Sequence, residues 1–189
     1  MKRVVLIGDS IRMGYQPYVQ ELLSAQADVW GPEENGETSQ NVLAHLDDWV
    51  IRRQPDVVHV NAGLHDLKRP REGGPAQIPL EAYQENVRAI LRRLLTETDA
   101  RIIWATITPV NEAWHHANKP FDRFEADVAA YNRAAVEICQ ELRIPVNDLH
   151  RVIESAGRDT LLIQDGVHFN EQGYRLLAEQ VAKAIQAVM

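Results

Sequence analysis

The side chains best placed to do chemistry lie at opposite ends of the chain. Ser10 sits in LIGDSIRMG (6–14), and Asp165 and His168 sit in IQDGVHFN (163–170). A serine hydroxyl is a weak nucleophile until a neighbouring base takes its proton and a third group orients that base. Asp165 stands three residues before His168, close enough for a carboxylate to hold the imidazole Nδ1–H. LIGDSIRMG reads as a strand, a tight turn and a helix start, with Ser10 at the turn. The backbone N–H groups there point out of a helix N-terminus and suit an anion. Taken singly, each residue has an ordinary role: Ser10 as a helix cap, Asp165 and His168 as polar loop residues. Their joint placement on the loops of one sheet carries the functional reading.

Other histidines call for different readings. VNAGLHDLK (60–68) leaves an apolar run through a glycine, His65 and Asp66. His59 falls inside that run and reads as a hydrogen-bonded core histidine, with Asn61 at the strand end. His115 and His116 adjoin Trp114. Adjacent histidines lack the spacing of a helical ligand pair and no cysteine or carboxylate cluster joins them, which favours a cleft wall or surface loop over a metal site.

These groups need a scaffold. Short β-branched runs bounded by Gly or Pro, RVVLIG (3–8), DVVHVNAG (56–63) and RIIWATITP (101–109), predict buried parallel strands. ADVW (27–30) and IPVND (144–148) supply a second and a fifth. Helical periodicity predicts helices at about 14–26, 39–53, 80–97, 122–142, 149–156 and 171–188. Asp122 to Glu125 resembles a capping box, and Asn170 is a helix N-cap. Strands alternating with helices require right-handed crossovers, hence a three-layer α/β/α sandwich in which functional groups gather at the C-terminal strand ends. The polar loops 64–79 and 108–121 are then the walls of a substrate cleft.

Composition narrows the function. A chain of 189 residues, 45% hydrophobic, builds one sizeable core and reads as a single domain, 1–189. A formal net charge of −7 with no basic stripe excludes a nucleic-acid partner. Arg92 and Arg93 read as the solvated face of a helix. The single cysteine, Cys139, excludes an internal disulfide, fits a reducing compartment and reads as core packing. No apolar stretch reaches membrane-span length, and MKR runs directly into a strand without a signal-peptide pattern, so the chain is expected to be soluble and cytoplasmic.

Four blocks in order resemble the GDSL esterases, also called SGNH hydrolases: GDS with Ile11 and Gly14, then NGETSQNVL (35–43), GLHD (63–66) and DGVH (165–168). The resemblance covers nearly the whole chain. It implies a flavodoxin-like sheet of five parallel strands and a serine hydrolase of esters or thioesters that needs no metal or cofactor. Ser10 would attack the carbonyl, His168 would act as base and then acid, and Asp165 would fix the His168 tautomer. Backbone N–H groups of Ser10 and Gly36 would hold the oxyanion. The third block usually reads Gly-x-Asn-Asp, and here His65 replaces the asparagine. A neutral imidazole also donates one N–H, so His65 is expected to complete the oxyanion hole, with Asp66 orienting it or bracing the loop. Trp114, His115, His116, Asn118 and Arg69 on the cleft loops favour a short-chain or carbohydrate acyl ester. The alternatives are a thioesterase or lysophospholipase on the same triad, or a non-catalytic flavodoxin-like module whose GDS turn cradles a phosphate. The last leaves Asp165, His168 and Gly36 without roles. The sequence leaves the oligomeric state open.

Overall fold

The structure, a computed structural model, describes residues 1–189. Five strands form a parallel sheet: β1 (Lys2–Ile7), β2 (Ala27–Trp30), β3 (Val57–Val60), β5 (Arg101–Ala105) and β7 (Val146–Asn147), in the order β2-β1-β3-β5-β7. Val57, Val58, His59 and Val60 of β3 are all buried, because a strand covered on both faces has no solvent side. Helices α1 (Ser10–Leu23), α4 (Leu80–Glu97), α6 (Glu125–Leu142), α7 (Leu149–Ala156) and α9 (Glu171–Gln186) flank the sheet. This is the expected α/β/α sandwich with its flavodoxin-like order. The direction of strand addition reverses beside β1, so the loops leaving β1 and β3 open onto the crevice where such sheets bind ligands. No helix is long and apolar enough to cross a membrane.

Helix α1 starts at Ser10, a turn earlier than its apolar pattern suggests. The buried Asp9 side chain caps it by accepting the Ile11 N–H at 2.9 Å. The expected helix 39–53 is broken into α2 (Ser39–Ala44), α3 (Leu46–Trp49) and a 3₁₀ turn at Ile51–Arg53. His45 interrupts it: its ring bonds the Asn41 carbonyl at 2.9 Å and stacks on Trp49. Helix α9 begins as expected, with Asn170 accepting the Gly173 N–H at 3.0 Å.

The capping box at Asp122 does not form. Asp122 lies instead in a two-residue strand, β6 (Phe121–Asp122), which pairs antiparallel with β4 (Arg69–Pro70). The Asp122 carboxylate accepts from His116 at 2.7 Å, while the Glu125 carboxylate accepts the Val110 N–H at 2.9 Å. With both side chains engaged elsewhere, α6 begins at Glu125 without a side-chain cap. The segments expected as open cleft loops are therefore tied together. α5 (Glu112–Asn118) occupies much of the second, Arg69 pairs with Asp127 at 2.6 Å, and Arg71 donates to the carbonyls of His116 and Lys119. A further short helix, α8 (Arg158–Leu161), precedes the Asp165 loop.

Helix α1 packs on α9, and Gly14 makes the close approach possible. A Cβ there would stand 2.2 Å from the Tyr174 ring. A Gly14→Ala variant is expected to lose about 1–3 kcal/mol of stability, since a methyl group inserted into a filled contact forces the ring aside. Urea denaturation checks this, and an unchanged midpoint would show that the helices separate freely.

Candidate active site

Residues from both ends of the chain meet at the C-terminal edge of the sheet. Ser10 is the first residue of α1, positioned by β1 and by the Asp9 cap. His168 lies in the loop before α9, which the Leu162–Phe169 bridge and the Ile163 N–H to His168 carbonyl bond hold at its base. The Ser10 Oγ lies 2.8 Å from His168 Nε2, and His168 Nδ1 lies 2.6 Å from Asp165 Oδ2. Asp165 also accepts the backbone N–H groups of Val167 at 3.0 Å and His168 at 2.9 Å. Burial pushes the Asp165 carboxyl up, but these hydrogen bonds and the His168 charge outweigh it and hold it at about 2. An ionised Asp165 only accepts. In the neutral ring Nδ1 must then carry the proton and Nε2 is left to accept the Ser10 hydroxyl.

The Ser10 N–H, at the first helical position, has no carbonyl four residues back within the helix and is a free donor. Gly36 packs directly on this turn. A Cβ on Gly36 would lie 2.6 Å from the Gly8 carbonyl oxygen, and the Gly36 N–H donates to that oxygen at 3.1 Å. The Gly36 donor is therefore engaged by Gly8 in this structure.

His65 is half-buried. Every other histidine has a hydrogen-bond partner on the chain, whereas the His65 ring has none. Burial, then the charges of Arg123, Lys68 and His168, lower its pKa to about 4. The ring is neutral at pH 7, with one N–H to give. Asp66 does not orient it. The Asp66 carboxylate turns the other way and accepts the Ser39 N–H at 2.9 Å and the Ser39 hydroxyl. Asn86 donates to the same hydroxyl at 3.0 Å. Asp66 thus ties the loop after β3 to the start of α2.

The neighbouring polar residues resolve differently from one another. His59 is fully buried and accepts from Asn147 Nδ2 at 3.1 Å, a core histidine as expected. Asn61 donates to the Ala105 carbonyl at 2.9 Å. Cys139 is buried and its thiol is pushed up to about 12 by burial. His115 is not a surface residue: it is fully buried and its Nδ1 donates to the Asp165 carbonyl at 3.1 Å. His116 turns to Asp122 instead, so the two histidines serve different partners. The residue that sequence reasoning missed is Arg123. Its Nε donates to the Leu64 carbonyl at 2.7 Å, one residue before His65. It lay inside an apparent capping box, and no local pattern marks an arginine whose partner is fifty-nine residues away.

Comparison with known proteins places the chain in a family. Residues 6–176 match the model of the GDSL-like lipase/acylhydrolase family. The chain belongs to that family. It is a GDSL-type carboxylic ester hydrolase. Among curated GDSL relatives, the GDSL esterase/lipase CPRD49 of Arabidopsis thaliana is 28% identical over 97% of this chain and 78% of its own length. The isoamyl acetate-hydrolyzing esterase 1 homolog of Bos taurus is 25% identical over 90% of this chain and 76% of its own. A solved lipase/acylhydrolase from Enterococcus faecalis superposes with a TM-score of 0.83 at 23% identity, over 99% of this chain and 96% of that one, which shows a shared fold.

Asp66 gives a pH test of the loop brace. Burial raises its carboxyl to about 6, against the opposing hydrogen bonds from Ser39. An unfolded aspartate titrates near ~4, so the folded state holds the proton more tightly. The stability this contributes is complete below ~4 and is lost as pH rises through about 6. Stability should fall by on the order of 2 kcal/mol across that window. Asp66→Asn should flatten that fall in urea titrations. Parallel curves for the two proteins would refute the assignment.

Proposed function

We propose that this hydrolase acts through an acyl-enzyme on Ser10 and removes short acyl groups from alcohols of carbohydrate type. The observation that carries the reading is the hydrogen-bonded line Ser10–His168–Asp165, joining residues 158 positions apart. As the Ser10 oxygen attacks the ester carbonyl, its proton passes to His168 Nε2, and Asp165 offsets the charge that forms on the ring. The carbonyl π bond opens to a tetrahedral oxyanion. Its collapse breaks the bond to the alcohol oxygen, which takes the proton from His168 as it leaves. A water molecule then repeats the sequence on the acyl-enzyme and returns the free serine and a carboxylic acid.

Donors for the oxyanion are the Ser10 N–H and the neutral His65 ring, which is the histidine with no other partner. The Gly36 N–H joins them only by leaving the Gly8 carbonyl. Two observations support the substrate class. The segments 64–79 and 108–121 carry Trp114, Asn118 and Arg69, a polar and aromatic set rather than an apolar one, with Arg69 paired to Asp127 and the Asn118 amide donating to the carbonyls of Trp114 and Gln164. Curated relatives include proteins described as isoamyl acetate-hydrolyzing esterases, whose named substrate carries a two-carbon acyl group.

A fluorophosphonate should label the wild-type chain on Ser10 and fail on Ser10→Ala and His168→Ala, read by intact mass. His65→Ala should lower kcat for a short-chain ester on the order of a hundredfold or more, as loss of one oxyanion donor does, with His65→Asn recovering much of it. A His65→Ala variant as fast as wild type would remove His65 from the mechanism. Labelling that persists in Ser10→Ala would remove the nucleophile.

A further inference from the structure

Two cations without a direct ion-pair partner, Arg123 and Lys68, gather beside the site. Arg123 is only 5% exposed. Its Nε is bonded to the Leu64 carbonyl, but its two terminal nitrogens have no partner on the chain and are not sealed from solvent. The acids whose charge it feels are Asp9 and Asp165. Asp9 gives one oxygen to the Ile11 N–H and leaves the other without a partner, and Asp165 serves His168 and Val167. Neither forms an ion pair with it. Lys68 stands on the same aromatic ring. Its Nζ is 4.4 Å from the Phe121 centroid, and the Arg123 Cζ is 5.0 Å from that centroid. Lys68 likewise forms no ion pair; burial, then Arg123, lower its pKa, and the charge of Glu37 acts the other way.

A guanidinium removed from water without an anion is costly, and a second cation on the same ring adds repulsion. A chain of net charge −7 has carboxylates to spare, so the lack of a direct ion pair to either cation is a local property. Two free terminal N–H faces of a guanidinium match the two oxygens of a carboxylate, and an ammonium supplies a second, non-directional contact. Both residues belong to the segments that frame the site: Lys68 follows His65 by three positions, and Arg123 is anchored beside His65 through Leu64.

We propose that Arg123 and Lys68 bind a carboxylate carried by the substrate, so that the preferred substrates are acyl esters of acidic compounds, uronic-acid sugars among them. This rests on the hydrolase reading above and specifies which esters it favours.

The test uses a matched pair, a methyl acetyl-glucoside and the corresponding methyl acetyl-glucuronide, together with free glucuronate and glucose as protectants of Ser10 against a fluorophosphonate. The wild type should cleave the uronate with the higher kcat/KM, the difference lying in KM, and glucuronate but not glucose should slow labelling. Arg123→Lys, which keeps the charge but loses the planar fork, and Lys68→Met, at a partly exposed site, should each shrink the preference on the order of tenfold. Equal use of the two esters by a wild type that labels on Ser10 would overturn the proposal and leave the hydrolase intact. So would variants that slow both esters in proportion, since Arg123 would then serve the oxyanion or the fold. Failure of Ser10 to label at all would instead sink the hydrolase reading beneath it.

Discussion

A histidine can take a proton from a serine at Nε2 only while Nδ1 is kept as a donor, and the mechanism proposed here depends on that condition. Asp165 meets it by staying ionised in a half-enclosed position. Three hydrogen bonds, two from backbone N–H groups of its own loop, outweigh the burial that would protonate it. The loop can make those bonds because it is pinned at both ends: the Leu162–Phe169 bridge closes it, and the buried His115 ring holds the Asp165 carbonyl from outside. On the serine side, the Asp9 cap starts α1 at the residue that must present its hydroxyl and its N–H together. The parallel sheet supplies the meeting place, since β1 ends beside the strand-order reversal.

Around this line the charges are separated by environment. His65 is neutral because it is half-buried among Arg123, Lys68 and His168, so it can donate without bringing a charge that alkaline pH would strip away. Asp66, next to it in sequence, faces the opposite way and fastens the loop to α2 through Ser39. Of two adjacent residues in the third block, one has a ring with no partner on the chain and the other fixes the backbone that carries it. The β4–β6 pair and the Arg69–Asp127 bridge do similar work for the opposite wall.

Much of this was legible in the sequence. The strands are short β-branched runs bounded by Gly or Pro, and their length, branching and boundaries separate them from buried helix segments. Ser10, Asp165 and His168 could be picked out because Asp165 and His168 stand three residues apart in one loop and Ser10 sits at a strand–helix turn. Other features depend on tertiary contact. β4 and β6 are two residues each, too short to carry a period. The capping residues at 122 and 125 fit their motif, yet His116 and the Val110 N–H compete for those carboxylates and win. His45 sits at the helix break with its ring on the Asn41 carbonyl, and Arg123 matters because its partner is the Leu64 carbonyl, fifty-nine residues away.

The tautomer of His168 is the most direct measurement of the central claim. In ¹⁵N-labelled protein under mildly alkaline conditions, the His168 ring should show a protonated Nδ1 and an unprotonated Nε2, with a low-field Nδ1–H proton that disappears on Asp165→Ala. A ring protonated on Nε2, or an Nδ1–H signal indifferent to residue 165, would mean that no base stands ready for Ser10.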